Sequence, residues 1–273
     1  MNRRLVFGGV VLAALIVCAL AAPLLSPHDP LEQDLLNTFA APFWRESHDA
    51  SFALGTDSLG RDNVSRLIYG ARVALTVALI AASLAALLGT TLGMLAGFYG
   101  GWVDAVISRL VDIWMSFPPV LLSIVLGAVL GPGLLTVIVA IVVIDWTRFC
   151  RVVRGEVLVQ RELDYVASAK IIGLRPLQIL WREILPNVAP LLLTLWTLEM
   201  GIAVVVETIL SFVGLGMSSG ASSWGSMIAD GRSYINQAWW LLALPVAFVI
   251  LVVLGFNALG DGLRDRLDPL RGG

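Results

Sequence analysis

Three long stretches without a charged residue restrict what this chain can fold into more than any other feature. They are Leu5–Leu25, Val73–Phe98 and Ile113–Ile144. A helix needs about 20 apolar residues to cross the hydrocarbon core of a bilayer. Of all residues, 58% are hydrophobic and 14% are charged, whereas a soluble domain has about 25% charged residues. The sequence therefore predicts an all-α, polytopic transmembrane helical bundle.

Glycine, proline and charged residues divide the chain into six predicted spans. Gly131-Pro132-Gly133 interrupts the third uncharged stretch, which is therefore expected to form two helices. The first apolar run is longer than the h-region of a cleaved signal peptide, about 7–15 residues, so it is expected to remain as a span. The predicted spans cover approximately 5–25, 73–98, 113–130, 134–149, 188–210 and 239–259.

The basic residues predict the orientation of the bundle, because Lys and Arg collect in cytoplasmic loops. With the N-terminus inside, thirteen of the 18 basic residues fall on the inner face and five on the outer face. Both termini are therefore expected to be cytoplasmic. The inner set is Arg3, Arg4, Arg109, Arg148, Arg151, Arg154, Arg161, Lys170, Arg175, Arg182, Arg264, Arg266 and Arg271, and the outer set is Arg45, Arg61, Arg66, Arg72 and Arg232.

The predicted spans and their orientation together divide the chain into four parts. Residues 1–25 form the cytoplasmic N-terminus and first span, and 26–72 form an extracytoplasmic segment. Residues 73–262 form a five-span core, and 263–273 form a cytoplasmic tail. The core contains one polar cytoplasmic loop, 161–187, which we call the 161–187 segment.

The 161–187 segment is a charged, broken helix between two apolar spans. Gly173 is suited to end a first helix, and Pro176 is suited to the first position of a second helix. In the second helix Leu177, Leu180, Trp181 and Ile184 recur at helical spacing and form one apolar stripe. Such a stripe is typical of a helix lying on the bilayer surface or of one docked in a groove of a partner. The glycine–proline corner favours docking, and Pro186 is expected to end this helix before span five.

The segment resembles the EAA loop of ABC importer permeases, with the pattern Glu-Ala-Ala, three residues, Gly, nine residues, Ile-x-Leu-Pro. The pattern falls on Ala167-Ser168-Ala169, Gly173 and Leu185-Pro186. Ala167, Ser168 and Glu183 depart from it, since the motif has Glu, Ala and Ile there. Three other stretches resemble the dipeptide/oligopeptide/nickel branch of these permeases: Leu54–Leu75, Ser211–Ile228 and Ala258–Pro269.

This resemblance implies a type I ABC importer permease fold in a bacterial inner membrane. It also implies a second homologous permease, two cytoplasmic ATPase subunits that carry ATP and Mg, and an extracytoplasmic binding protein. The 161–187 segment would hold the coupling helix that contacts the ATPase. Di- or oligopeptides are the expected substrates, with nickel or another small solute as the alternative. The residues assigned to coupling are Ala167, Ser168, Ala169, Gly173, Arg175, Pro176, Leu177, Leu180, Trp181, Arg182 and Pro186.

The chain has no sequence for an ATPase site of its own. A P-loop requires Gly-x-x-x-x-Gly-Lys-Ser/Thr, and the single lysine, Lys170, is followed by Ile171. An enzyme is therefore not expected, and hydrolysis is assigned to a partner subunit. His28 and His48 are isolated, so neither a metal cluster nor, with two cysteines in apolar sequence, a disulfide framework is expected.

An ion-coupled carrier is the alternative class, because it would use carboxylates within the membrane. Asp145 is expected to pair with Arg148, three residues further along the helix. Glu199 and Glu207 fall close to one face of span five. They are expected to face either the bundle interior or the translocation path. A relay would need more such groups on several spans, so ATP-driven transport is favoured.

Two further features are assigned by pattern. Gly89, Gly93 and Gly97 recur every four residues, a spacing that lets two helices approach closely, either within the chain or against a sister subunit. In the outer loop before span six, Trp224 and Arg232 are expected to contact a binding protein or form an outer gate.

Overall fold

The computed structural model describes residues 3–216 and 222–267, and within them the chain is helical, with two isolated β-bridges and no named strand. The rest of the predicted tail, 268–273, and part of the predicted outer loop, 217–221, lie outside the described residues. The helices are α1 Arg3–Leu20, α2 Ala22–Leu25, α3 Asn63–Tyr99, α4 Gly101–Met115, α5 Pro119–Leu130, α6 Leu134–Gln160, α7 Asp164–Ile171, α8 Pro176–Ile179, α9 Leu185–Phe212, α10 Trp224–Ser233 and α11 Trp240–Leu267, with a π-helical turn at Leu180–Ile184 between α8 and α9.

Four helical stretches are long and apolar enough to cross a membrane, and a bent pair can provide a fifth. The four are Arg3–Leu20, Asn63–Tyr99, Pro176–Phe212 and Trp240–Arg266. The fifth is α4 with α5, which meet at an angle of 86°. Six spans were predicted. The difference is α6. Its uncharged part, Leu134–Ile144, lies in predicted span four, but the rest of the helix carries five charged residues, Asp145, Arg148, Arg151, Arg154 and Glu156.

Prolines cause the bend between α4 and α5. Pro118 has an extended backbone, and Pro119 occupies the first turn of α5, where its missing N–H costs nothing. A proline pair inside an apolar stretch is expected to bend or interrupt a helix, and the 86° angle agrees with that expectation. The predicted end of that span at Leu130 and the start of the next helix at Leu134 also agree with the structure.

The helix α3 begins at Asn63, ten residues before the predicted span at Val73, so its first turns belong to the stretch that was predicted to be extracytoplasmic. Asp62 explains the early start, because its side chain caps the helix. Its carboxylate accepts hydrogen bonds from the backbone N–H of Val64 at 3.4 Å and of Ser65 at 2.8 Å. An N-cap of this kind typically contributes about 1 kcal/mol to helix stability.

Glycines bring α3 and α6 together in the most extensive helix contact of the bundle. A Cβ atom on Gly93 would lie 2.7 Å from the carbonyl oxygen of Cys150, and one on Gly97 would lie 2.8 Å from Val157 Cβ. One on Gly89 would collide with the carbonyl oxygen of Trp146. The contact made by this glycine series therefore lies within the chain, which was one of the two alternatives left open by the sequence.

The helix α1 packs against α11 through a second set of glycines. A Cβ atom on Gly8 would lie 2.6 Å from the backbone nitrogen of Leu259, and one on Gly255 would lie 2.5 Å from a methyl group of Val11. The N-terminal and C-terminal helices are thus neighbours, and α9 also packs against α11. This arrangement holds α9, the helix that leaves the 161–187 segment, against the rest of the bundle.

Candidate functional site

A Schellman motif ends α7 at Gly173, as the sequence predicted. Gly173 has a φ of +85°, in the left-handed region that favours glycine. Its N–H donates to the carbonyl of Lys170, and the N–H of Leu174 donates to the carbonyl of Ala169, both at 3.1 Å. These two bonds satisfy carbonyl groups that the end of the helix would otherwise leave free. The chain therefore turns at a fixed angle between α7 and α8.

The second helix of the segment starts at Pro176, again as predicted. The N–H of Arg175 donates to Gln178 Oε1 at 3.0 Å, and the N–H of Gln178 donates to the carbonyl of Arg175 at 2.8 Å. The Gln178 side chain thus satisfies the N–H at the start of the helix, as the N3 residue of a capping box does, while the second bond is a backbone turn. Together the two bonds fix the direction in which α8 leaves the corner.

Pro186 does not end this helix, contrary to the prediction. Pro176–Phe212 is one continuous helical stretch, and the turn at Leu180–Ile184 is π-helical. A proline cannot donate to the carbonyl four residues before it, and its ring crowds that carbonyl. The π turn adapts to this, since the N–H of Leu185 donates to the carbonyl of Leu180 five residues back. Asn187 Nδ2 also donates to the carbonyl of Glu183 at 2.7 Å.

The apolar stripe predicted on the second helix is divided between the interior and the surface. Leu180 and Ile184 are 2% and 0% exposed and pack in a cluster with Val153 and Val157 of α6. Leu177 and Trp181 are 57% and 56% exposed. The prediction that all four residues form one surface for a partner is therefore wrong, because Leu180 and Ile184 hold the segment to the bundle.

Two residues at the C-terminal end of α7 complete the exposed apolar surface. Ile171 is 85% exposed and Ile172 is 75% exposed. Together with Leu177 and Trp181 they flank the corner at Gly173, and we call these four residues the apolar tip. Sequence periodicity missed Ile171 and Ile172 because they end one helix and do not belong to the stripe of the next.

Other residues of the 161–187 segment lie around this tip. Ala167, Ser168, Arg175, Arg182 and Pro186 are exposed, whereas Ala169 is buried. The Lys170 ammonium lies 6.0 Å from the ring centre of Phe98, at the end of α3. The exposed surface is therefore apolar at the corner and basic at its edges.

The two glutamates of α9 are buried inside the bundle. Glu199 is 1% exposed and Glu207 is 2% exposed. Glu207 Oε1 accepts a hydrogen bond from Ser211 Oγ at 2.6 Å. Glu199 Oε2 accepts one from Arg148 Nη1 at 3.1 Å. Neither side chain is open to a path in this conformation. The structure also corrects the expected Asp145–Arg148 pair, because Arg148 reaches across to α9.

Trp224 does not lie on the outer surface, contrary to the prediction. Its side chain is 1% exposed, and its Nε1 donates to the carbonyl oxygen of Leu67 at 3.0 Å. A large apolar ring with one N–H is well suited to such a buried position. Arg232, by contrast, is exposed, and its guanidinium lies 5.6 Å from the ring centre of Phe212.

A buried ion-pair network that sequence analysis missed lies at the opposite end of the bundle. Arg66 forms ion pairs with Asp57 and, at 3.2 Å, with Asp230. Arg61 forms ion pairs with the same two carboxylates at 2.6 and 3.1 Å. The network joins the irregular segment, α3 and α10. Asp57, Arg61 and Arg66 are neighbours in the sequence, but Asp230 lies more than 160 positions further along the chain, so no local pattern indicates the complete network.

An open groove of about 420 Å³ runs along the side of the bundle between α3 and α9. Its walls are almost entirely apolar and include Leu87, Met94, Leu192 and Trp196. Trp181 of the apolar tip also lines it. The groove is therefore continuous with the exposed surface of the 161–187 segment.

Comparisons with known proteins place this architecture among membrane transport components. Residues 89–272 match the family described as "binding-protein-dependent transport system inner membrane component". Residues 1–42 match the "N-terminal TM domain of oligopeptide transport permease C". The chain belongs to the family of binding-protein-dependent ABC importer permeases, which confirms the resemblance seen in the sequence. It is an inner-membrane component of a bacterial transport system.

Individual relatives cover almost the whole chain. The "di/tripeptide transport system permease protein DppC" of Pseudomonas aeruginosa is 40% identical over 96% of this chain and 87% of the relative. The "dipeptide transport system permease protein DppC" of Bacillus subtilis is 38% identical over 98% of this chain and 82% of the relative. The "probable D,D-dipeptide transport system permease protein DdpC" of Escherichia coli is 36% identical over 98% and 88%.

Solved structures support the fold. An inward-facing structure of the MetNI methionine ABC transporter superposes with a TM-score of 0.61, covering 73% of this chain and 95% of that chain at 20% identity. A crystal structure of an amino acid ABC transporter with histidines gives a TM-score of 0.58 over 74% of this chain and 94% of that chain, at 14% identity. The fold is therefore that of type I ABC importer permeases.

Proposed function

We propose that this chain is one permease subunit of an ATP-driven importer of di- or oligopeptides. It spans the membrane six times, with α6 as the additional span and both termini in the cytoplasm. It supplies half of the translocation path and works with a second permease, two ATPase subunits and an extracytoplasmic binding protein. The dipeptide names of relatives that cover nearly the whole chain support peptides over nickel.

The apolar tip is the observation that carries the coupling role. Four large apolar side chains are exposed on a corner held by a Schellman motif and by the Gln178 side chain, which accepts from the Arg175 N–H. The other half of the same helix packs against α6. A partner that moves the tip would therefore move α6 and α9 with it. Arg175 and Arg182 are placed to meet acidic groups or carbonyls of that partner, while Arg232 remains a candidate contact for the binding protein.

Substitutions in the tip test this role. Trp181→Glu and Ile172→Glu place charges on the exposed surface without entering the interior. We expect both variants to insert normally and to lose most of the co-purifying ATPase. The matched control is Leu36→Glu, because Leu36 is 95% exposed in the irregular segment that precedes α3, far along the chain from the tip. Full retention of ATPase by both tip variants would contradict the coupling role.

Co-purification tests the class, and uptake tests the substrate. Mild detergent extraction followed by mass spectrometry should recover a second permease and P-loop ATPases. Reconstituted with these and its binding protein, the transporter should accumulate a labelled dipeptide only with ATP and should be indifferent to ionophores. Ionophore-sensitive uptake without ATP would identify an ion-coupled carrier, and uptake of nickel but not of dipeptide would assign the alternative substrate.

A further inference from the structure

Three large aromatic side chains form one exposed surface at the start of α11. Phe43 is 63% exposed and Trp44 is 42% exposed, on the irregular segment that precedes α3. Their rings meet edge to face with centres 5.0 Å apart. The ring centre of Trp44 also lies 6.4 Å from that of Trp239, which is 49% exposed. We call Phe43, Trp44 and Trp239 the aromatic patch.

Two contacts hold the loop that carries Phe43 and Trp44 against α11. Phe39 packs against Tyr234 with ring centres 4.9 Å apart, in a cluster that also contains the buried Trp240. Arg45 is exposed, and its guanidinium lies 5.1 Å from the ring centre of Trp240, within the range of a cation–π interaction. The aromatic patch is therefore fixed at one end of α11.

The length of α11 places this end of the helix at a membrane surface. The helix is long and apolar enough to cross a membrane, and Asp261 is its first charged residue. The 21 residues Trp240–Gly260 are uncharged and, at about 1.5 Å per residue, extend about 30 Å. The hydrocarbon core of a bilayer is about 30 Å thick. If Asp261 lies at one surface of the core, Trp240 lies at the other.

The aromatic patch also continues the exposed face of α11. Ile250 and Leu254 are 53% and 52% exposed and lie on this face, in the middle of the span. The carbonyl of Trp239 accepts a hydrogen bond from the N–H of Ala243 at 3.1 Å, so Trp239 is the N-cap of the helix. Trp239 precedes Ile250 by eleven positions, which is about three turns. The exposed apolar surface therefore extends from the span to the patch.

Another part of the same irregular segment is acidic. Glu32, Asp34 and Asp49 line an open, polar cavity of about 270 Å³. Leu36 lies beside this cavity, since its N–H donates to Asp34 Oδ1 at 3.1 Å, and it is 95% exposed. Carboxylates are disfavoured in contact with lipid, whereas Trp is enriched at membrane surfaces. The aromatic patch, and not the whole segment, is therefore suited to a membrane.

We propose that the aromatic patch is an anchor that inserts into the headgroup region of the membrane at this end of α11. The ring of a tryptophan contacts lipid chains there while its N–H reaches headgroups or water. Phe43, which has no polar atom, would contact the chains most fully, and Arg45 would meet a lipid phosphate. The anchor holds the irregular segment at the membrane surface. In the proposed orientation this is the extracytoplasmic leaflet, but the anchor requires neither the proposed substrate nor the coupling role.

Photo-crosslinking of the assembled transporter in its own membrane tests the anchor. Phe43→p-benzoylphenylalanine places a photoreactive ring on the patch, and Leu36→p-benzoylphenylalanine is the matched control on the acidic part of the segment. After irradiation, mass spectrometry of the purified chain identifies what each ring has captured. We expect phospholipid adducts at position 43 to exceed those at position 36 several-fold. Equal amounts of lipid adduct at the two positions would overturn the proposal, and so would capture at position 43 of the binding protein or second permease in place of lipid.

Fluorescence quenching provides an independent readout for Trp44. Trp44→Phe keeps an aromatic ring, and the emission that this variant loses relative to the wild type belongs to Trp44. In nanodiscs of brominated phosphatidylcholine, we expect this emission to be quenched several-fold more by bromine near the headgroup than by bromine at the chain end. It should be poorly quenched by iodide in the water. Strong quenching by iodide with no response to brominated lipid would reject the anchor.

Discussion

Trp224 of α10 donates a hydrogen bond from Nε1 to the carbonyl oxygen of Leu67 in α3 at 3.0 Å. The indole also lies directly over Gly70, where a Cβ atom would come within 2.6 Å of the same nitrogen. Trp224 is therefore a structural anchor, and it holds α10 against the start of α3. This relationship leads to the first prediction.

Replacing Trp224 should destabilise the chain in two steps. Trp224→Phe removes the hydrogen bond but keeps most of the ring, and we expect a loss of about 1 kcal/mol. Trp224→Ala also opens a cavity and should cost about 3–5 kcal/mol. Thermal unfolding of the purified chain measures both effects. Trp102, which is 74% exposed, is the control, and equal losses for Trp102→Ala and Trp224→Ala would contradict the anchor role.

The close approach of α3 and α6 should not tolerate a side chain at Gly93. Gly93→Leu places several atoms where the Cys150 carbonyl and Val153 already lie. We expect this variant to be recovered poorly or to unfold at a much lower temperature. Gly155 of α6 is the matched control, because a Cβ atom at this position would have no other atom within 4 Å. Gly155→Leu should fold normally, since a helical glycine costs about 1 kcal/mol relative to better helix formers.

The corner at Gly173 should depend on backbone conformation and not on space. No atom lies within 4 Å of a Cβ at this position, but φ is +85°. A β-branched residue is strongly disfavoured in the left-handed region, whereas Asn adopts it more readily. We expect Gly173→Val to impair ATP-driven uptake with normal membrane insertion and Gly173→Asn to retain most uptake. Equal uptake by the two variants would show that the corner angle is unimportant.

The buried network at the opposite end should be sensitive to loss of its most buried base. Arg66→Met leaves Asp57, which is 2% exposed, without one of its two basic partners. Breaking a buried pair by removing one partner costs about 3–5 kcal/mol. Asp230→Asn should cost much less, because the side chain of Asp230 is 42% exposed and water can replace its contacts. Denaturant unfolding of both variants measures the difference, and the reverse order would refute this account.

Sequence reasoning succeeded here where a local rule decides the geometry. The left-handed glycine at 173, the proline at the first turn of α8 and the Pro118-Pro119 interruption all follow from the backbone preferences of those residues. The spacing of Gly89, Gly93 and Gly97 also indicated a close helix contact. Its partner, α6, could not be identified from spacing, because the contacting residues lie more than fifty positions along the chain.

Prediction from the sequence failed where residues far along the chain change the contacts or the helix boundaries that a local pattern indicates. Arg148 has Asp145 nearby on its own helix, yet it binds Glu199, which is 51 residues away. Leu180 belongs to the same periodic stripe as Trp181, but the curvature of the chain turns Leu180 into a cluster with α6. Pro186 is a reliable helix breaker in isolation, and the π turn before it, with the Asn187 side chain, allows the helix to continue.

That continuity has a mechanical consequence. The helical stretch Pro176–Phe212 contains 37 residues, and at about 1.5 Å per residue it forms a lever of roughly 55 Å. If such a lever pivots near its middle by about 10°, its two ends move by about 5 Å in opposite directions. A sideways push on Trp181 would therefore shift Phe212, near the far end of this helical stretch, in the opposite direction. Closing one end of the translocation path and opening the other end would then be a single movement.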